Sequence, residues 1–247
     1  MTATSRFKRI SGWAVAIGLS ACAPAISALS RPQAAVVPAT PGNDIWERDI
    51  AAFEAEDRVS PPRQRGVLFV GSSSIRVWST LDADFPGIDI VQRGFGGSEL
   101  GDVVRYAPRI VIPYHPRLIV LYAGDNDLAA GKSPTMVFDQ YRSFVELVQR
   151  ELPSTRMAFV SIKPSGSRLA LMPQIREAND MIRRYAARDA RLAYVDVFTP
   201  MLGPDGRPRE ELFLPDRLHM NAAGYAIWKS ILDRIVRDTS HDTPAMR

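Results

Sequence analysis

Five short, mostly apolar runs punctuate the chain: Gly66–Val70, Ile88–Val91, Leu118–Tyr122, Met157–Ile162 and Ala193–Phe198. Each has strand length and is bounded by breakers such as Pro61-Pro62, Pro86-Gly87 and Pro116. Continuous rather than alternating apolar character is what a strand buried on both faces requires. Between the runs the spacing changes to that of helices. Trp46, Ile50 and Phe53 predict a helix over Ile45–Glu56, and Val103, Val104 and Tyr106 another over Leu100–Ala107. Val137, Tyr141, Phe144, Val145 and Val148 predict one over Pro134–Leu152, with Ser133 as its cap and Pro134 in its first turn. Leu171, Ile175, Ala178, Ile182 and Tyr185 mark Ala170–Ala187, where Pro173 is a candidate for the true first turn. Ile227, Trp228, Ile231, Leu232 and Ile235 mark Tyr225–Val236. Strands alternating with helices predict a three-layer α/β/α sandwich around a central, mostly parallel five-stranded sheet.

In such a sheet ligands collect beyond the carboxyl ends of the strands, so the residues just after each run carry the functional expectation. Gly71-Ser72-Ser73-Ser74 follows the first run, where a serine at a helix start sits in a field that favours negative charge. Serine is equally a common helix cap. Gln92-Arg93-Gly94-Phe95-Gly96-Gly97-Ser98 follows the second run; its glycines allow close backbone approach to a ligand, or form a plain turn. Its spacing is not that of a dinucleotide fingerprint. Ala123-Gly124-Asp125-Asn126-Asp127 follows the third run and offers an asparagine amide as an oxyanion donor, with Asp127 expected in an Asx-type turn. Late in the chain, Leu214-Pro215-Asp216-Arg217-Leu218-His219 places a carboxylate three residues before an imidazole. Such a carboxylate can hold Nδ1–H and leave Nε2 free to take a proton, although a surface loop holds such pairs too.

The first residues change the picture of where the domain works. Arg6, Lys8 and Arg9 precede Gly12–Leu19, an apolar stretch too short to span a bilayer, as in an export signal. Leu19-Ser20-Ala21-Cys22 resembles a bacterial lipobox, and Cys22 is the only cysteine, which excludes an internal disulfide. Acyl chains on Cys22 are expected to tether the protein to a membrane of the cell envelope; cleavage nearby would instead release it to the periplasm or outside. Residues 1–21 are thus read as signal and 22–44, rich in proline and alanine, as a tether. One domain over 45–240 follows, with 241–247 as a polar tail. Removing the leader lowers the formal net charge from +4 to +1, so no nucleic-acid partner is expected.

Taken together, Ser73, Gly97, Gly124-Asp125-Asn126 and Asp216-Arg217-Leu218-His219 resemble, in this order, the four motif blocks of the SGNH hydrolases, also called GDSL-type esterases and lipases. The resemblance spans roughly residues 65–235. It implies a flavodoxin-like fold, Ser73 as nucleophile, His219 as general base and acid, and Asp216 as its orienting carboxylate. It also implies an oxyanion hole from the N–H groups of Ser73 and Gly97 and the side chain of Asn126. Two departures stand out. Ser72 occupies the place of the family's aspartate, so the choice among Ser72, Ser73 and Ser74 rests on alignment, and Gln92 stands where asparagine is frequent. The implied reaction is hydrolysis of a carboxylic ester without metal or cofactor, on a short-chain acyl ester or an O-acetylated carbohydrate. A lysophospholipase or lipase, or a silent envelope binding protein, are the alternatives. Arg76 and Trp78 are candidates to line the site, with packing or surface roles as the alternative, and Lys163 is a candidate to contact a polar substrate group, with a solvated surface lysine as the alternative. His115, at the amino end of the third run, and His241, in the tail, are not expected in the site. Oligomeric state is not read from the sequence.

Overall fold

The computed structural model describes residues 45–238. The signal, Cys22, the tether and the tail with His241 lie outside them. Five strands, β1 (Val67–Gly71), β2 (Ile90–Gly94), β3 (Leu118–Tyr122), β4 (Arg156–Val160) and β5 (Leu192–Val195), form one sheet in the order β2-β1-β3-β4-β5. Every neighbouring pair is parallel. The helices are α1 (Glu47–Val59), α2 (Ser73–Arg76), α3 (Leu81–Asp84), α4 (Leu100–Ile110), α5 (Asp125–Ala129), α6 (Pro134–Glu151), α7 (Met172–Ala186) and α8 (Ala222–Arg237).

Side chains alternate across each strand, and here both sides are apolar. Leu68 and Val70 of β1, Ile119 and Leu121 of β3, and Met157 and Phe159 of β4 pack with α1, α4, α6 and α7. Val67 and Phe69, Leu118, Val120 and Tyr122, and Ala158 and Val160 face the other way, against α2, α3 and α8. That second layer is aromatic. Trp78 stacks on Tyr225 with centroids 4.9 Å apart and meets Phe69, Phe85 and Trp228 edge-on or tilted at 5.9–6.0 Å. Such pairs add to the stabilisation their buried area already provides.

The helices follow their local signals. Ser133 caps α6 by accepting the Met136 N–H at 3.2 Å, and Asn221 caps α8 by accepting the Ala223 N–H at 2.9 Å. α7 starts at Met172, so Pro173 does stand in its first turn. Helix α4 runs past the expected end to Ile110 with Pro108 in its last turn. The second strand departs most from expectation, because it starts at Ile90 and takes in Gln92, Arg93 and Gly94. Polar residues fit there because each has partners. Gln92 donates to the carbonyls of Ile75 (2.6 Å) and Trp78 (3.2 Å), while buried Arg93 pairs with Asp57 and donates to Tyr114 Oη at 2.8 Å.

Candidate active site

Strand order reverses around β1, with β2 on one side and β3 on the other, so the chains leaving β1 and β3 diverge and open a crevice at their carboxyl ends. Gly71 ends β1 with φ +138°, and a Cβ there would lie 1.8 Å from the carbonyl oxygen of Tyr122 at the end of β3. That oxygen accepts the Ser72 N–H at 2.9 Å. Only glycine permits this approach, and the approach delivers the next residues into a sharp strand-to-helix turn. Ser72 and Ser74 point inward with 0 % and 1 % exposure, whereas Ser73, the first residue of α2, is half-buried at the crevice. From behind, α2 is pinned by Tyr225 of α8, whose hydroxyl donates to the Ser74 carbonyl at 2.9 Å.

His219 comes to this serine from 146 residues away, with Nε2 2.9 Å from Ser73 Oγ. Its Nδ1 lies 2.6 Å from Asp216 Oδ2. A carboxylate accepts only, so Nδ1 carries the proton and Nε2 faces the serine as an acceptor. Asp216 Oδ1 accepts the backbone N–H groups of Leu218 and His219, each at 2.9 Å, which ties the carboxylate to the turn it belongs to. Burial opposes the Asp216 charge, but the His219 ring and these two N–H groups outweigh it and hold the carboxyl down at about 2. The turn is fixed from outside as well. Arg217 sits at φ +57°, its carbonyl accepts the Ser167 N–H at 3.1 Å, and its guanidinium pairs with Glu210 at 2.5 Å.

Two loops flank the serine. Gly97 has φ +79° and open space where a Cβ would be. Its N–H and that of Ser73 have no acceptor among the described residues. Asn126, in the first turn of α5, donates one amide hydrogen from Nδ2 to the Ser98 carbonyl at 3.1 Å. That bond fixes which way the amide faces and leaves its second hydrogen available. The resulting set is a serine hydroxyl, an oriented imidazole and three uncommitted N–H donors on adjacent turns. Such a set can deprotonate the hydroxyl for attack and stabilise negative charge that develops beside it.

Several expectations change at this level. Trp78 is not a site residue: it is fully buried in the aromatic layer, its indole N–H donating to Asp84 at 2.7 Å. Arg76 is exposed and lies over Gly96, its guanidinium 3.2–3.4 Å from where a Gly96 Cβ would be, so it does border the glycine loop. Lys163 is 1 % exposed and bonded to Tyr122 and Asp125, so it cannot touch a substrate. Asp127 does not close its own turn; its carboxylate accepts the Leu100 N–H that opens α4, at 3.1–3.2 Å, and pairs with Lys132. Gln92 braces α2 from the β2 side, as described above. His115 stands just before β3, at the end of the sheet away from the crevice. Trp46 marks a helix by its spacing and does more besides: its indole donates to the Gly96 carbonyl at 2.9 Å and braces the glycine loop. Among the described residues no group of three His, Cys, Asp or Glu is placed to hold a metal ion.

The fold that carries this site has counterparts in known proteins. Residues 66–227 match the GDSL-like lipase/acylhydrolase family. Among solved structures, a Streptococcus pneumonia protein described as a candidate platelet activating factor superposes with TM-score 0.69 at 20% identity, over 77% of this chain and 92% of its own. A candidate acylhydrolase from Bacteroides fragilis gives 0.65 at 21% identity, over 75% and 94%. A GDSL-like lipase from Bacteroides thetaiotaomicron gives 0.66 at 20%, over 76% and 97%. Comparison with curated proteins finds no match. At these identities the structures speak for a shared fold, while the family match covers most of the chain and every residue of the site. The chain belongs to the GDSL-like lipase/acylhydrolase family, whose members hydrolyse esters.

Proposed function

We propose that the protein is a serine esterase that works through an acyl-enzyme on Ser73. The observation that carries this reading is the continuous chain Ser73 Oγ, His219 Nε2, His219 Nδ1, Asp216 Oδ2, with contacts of 2.9 and 2.6 Å. His219 takes the Ser73 proton as the oxygen attacks the ester carbonyl. The carbonyl oxygen becomes an alkoxide that receives hydrogen bonds from the N–H groups of Ser73 and Gly97 and from Asn126 Nδ2. Collapse expels the alcohol, which takes the proton back from His219, and leaves the acyl group on Ser73. Water then repeats the sequence in the same site, with His219 again as base and then acid, and releases the acid.

For the substrate we propose a short acyl group on a small alcohol or a carbohydrate. The support is structural modesty around the crevice: the large aromatic beside the serine, Trp78, faces the core, and the exposed side chain over the glycine loop is the cationic Arg76. Hydrolysis of p-nitrophenyl esters from C2 to C12 tests both parts. The expected profile peaks at C2–C4, is abolished by Ser73→Ala or His219→Ala, and falls roughly 10²–10³-fold in Asn126→Ala. A peak at C8 or longer supports a lipase or lysophospholipase instead, and full activity in Ser73→Ala overturns the assignment.

We also propose, from the sequence around Cys22, that acyl chains hold the protein to a membrane. Cys22→Ser is then expected to move the protein out of the membrane fraction and to abolish its labelling with an alkyne fatty acid. Persistence of both contradicts the anchor.

A further inference from the structure

Lys163 is the one lysine among the described residues buried to 1 %, and the esterase mechanism does not use it. It leaves the sheet just beyond β4 and carries its ammonium under the crevice. There Nζ donates to Tyr122 Oη at 3.0 Å and to Asp125 Oδ2 at 3.1 Å. Tyr122 Oη donates to the same Asp125 oxygen at 3.1 Å. The other Asp125 oxygen accepts the backbone N–H of Asn126 at 3.0 Å. Asp125 is 4 % exposed and Tyr122 fully buried, so the group is sealed from water.

A buried ion pair is weak evidence for stability, because losing hydration offsets most of the attraction. Its position suggests another use. Asp125 opens α5, and its carboxylate accepts the backbone N–H of Asn126 in that first turn. Tyr122 is the residue whose carbonyl holds the Ser72 N–H and against whose backbone Gly71 is pressed. The three polar side chains thus join the ends of β3 and β4 to the turn of Asn126 and, through Tyr122, to the turn of Ser73. Burial acts to raise the Asp125 carboxyl, but the Lys163 charge and the hydrogen bonds from Lys163 and Tyr122 together outweigh it and hold the group below its ordinary value.

We infer that the buried Lys163–Asp125–Tyr122 cluster is a positioning device for the oxyanion hole, holding the Asn126 amide in register with Ser73. This rests on Asn126 acting as an oxyanion donor. The role is indirect, since Lys163 touches no reacting atom. Its failure differs from that of a generic buried lysine, because the effect passes through one amide.

A double-mutant cycle on p-nitrophenyl acetate tests it. Lys163→Met keeps the volume and removes the charge. Expected is a kcat lower by roughly 10- to 100-fold, as for a small misplacement of a catalytic donor, with KM within about twofold of wild type. In the Asn126→Ala background the same change is expected to cost less than about twofold. Should Lys163→Met fail to fold around an uncompensated Asp125, the neutral pair Asp125→Asn with Lys163→Met takes its place in the cycle. It keeps an acceptor for the Asn126 N–H and is expected to fold and to show the same kcat loss and the same non-additivity. Equal losses in the two backgrounds, or unchanged kcat in the variant beside a crippled Asn126→Ala, overturn the inference alone. An Asn126→Ala enzyme with wild-type kcat overturns the oxyanion reading, and the inference with it.

Discussion

At the scale of single residues, the catalytic set depends on positions that accept one side chain or none. Gly71→Ala places a methyl carbon 1.8 Å from the Tyr122 carbonyl oxygen in a left-handed backbone that alanine avoids. Backbone cannot swing aside as a side chain can, so β1, β3 or the serine turn must move. The variant is expected to lose p-nitrophenyl acetate hydrolysis at least as completely as Asn126→Ala and to melt several degrees lower; wild-type kcat and melting temperature contradict this account of the turn. Part of this was legible beforehand. Glycine then three serines after an apolar run marks a turn with a candidate nucleophile. Which serine faces out depends on how that turn is pinned to Tyr122, 50 residues on and in another strand. The exposure of Ser73 between two buried neighbours decides it. The burial of Lys163 is hidden from the sequence for the converse reason. A lysine after a strand suits solvent unless a carboxylate waits beneath it, and Asp125 lies 38 residues earlier.

At the scale of elements, apolar content located strands well and polar content hid their ends. β3, with no polar side chain until its last residue, matches its expected bounds, whereas β2 is displaced because Gln92 and Arg93 find partners on α1, the Ile75–Trp78 segment and the segment before β3. The short helices α3 and α5 have too few turns for a 3.6-residue pattern, and α2 shows in the sequence only as the helix start expected after Gly71. Asp127 shows one element built on another, since it leaves α5 to hold the start of α4. Burial raises its carboxyl from 3.8 to about 6, against the pull of the Leu100 N–H and Lys132. The folded chain therefore holds this proton more tightly than the unfolded chain. Its contribution to stability is fully present below about 4, declines as pH rises to about 6, and is constant above. Asp127→Asn keeps an acceptor for Leu100 and is expected to flatten this slope in thermal melts between pH 4 and pH 7. An unchanged slope contradicts the assignment.

At the scale of the whole molecule, the parallel sheet is what turns scattered residues into a site. Each strand runs the same way, so the chain following each delivers its polar residues to one edge, and the reversal of strand order at β1 spreads two of those turns apart. Ser73 follows β1, Gly97 follows β2 and Asn126 follows β3; His219 enters from the long segment between β5 and α8. Motif order and strand ends made this convergence readable from the chain. The supports were not readable: Tyr225 under α2, Trp46 under the glycine loop and Lys163 under α5 bond across 151, 50 and 38 residues respectively. The central claim is that Ser73 is a nucleophile activated by His219. A fluorophosphonate probe followed by peptide mass mapping tests it most directly, because the probe bonds only an activated serine. The account predicts one adduct, on Ser73, absent in Ser73→Ala and slowed at least 100-fold in His219→Ala. An adduct on Ser72 or Ser74, or none at all in the folded protein, contradicts it.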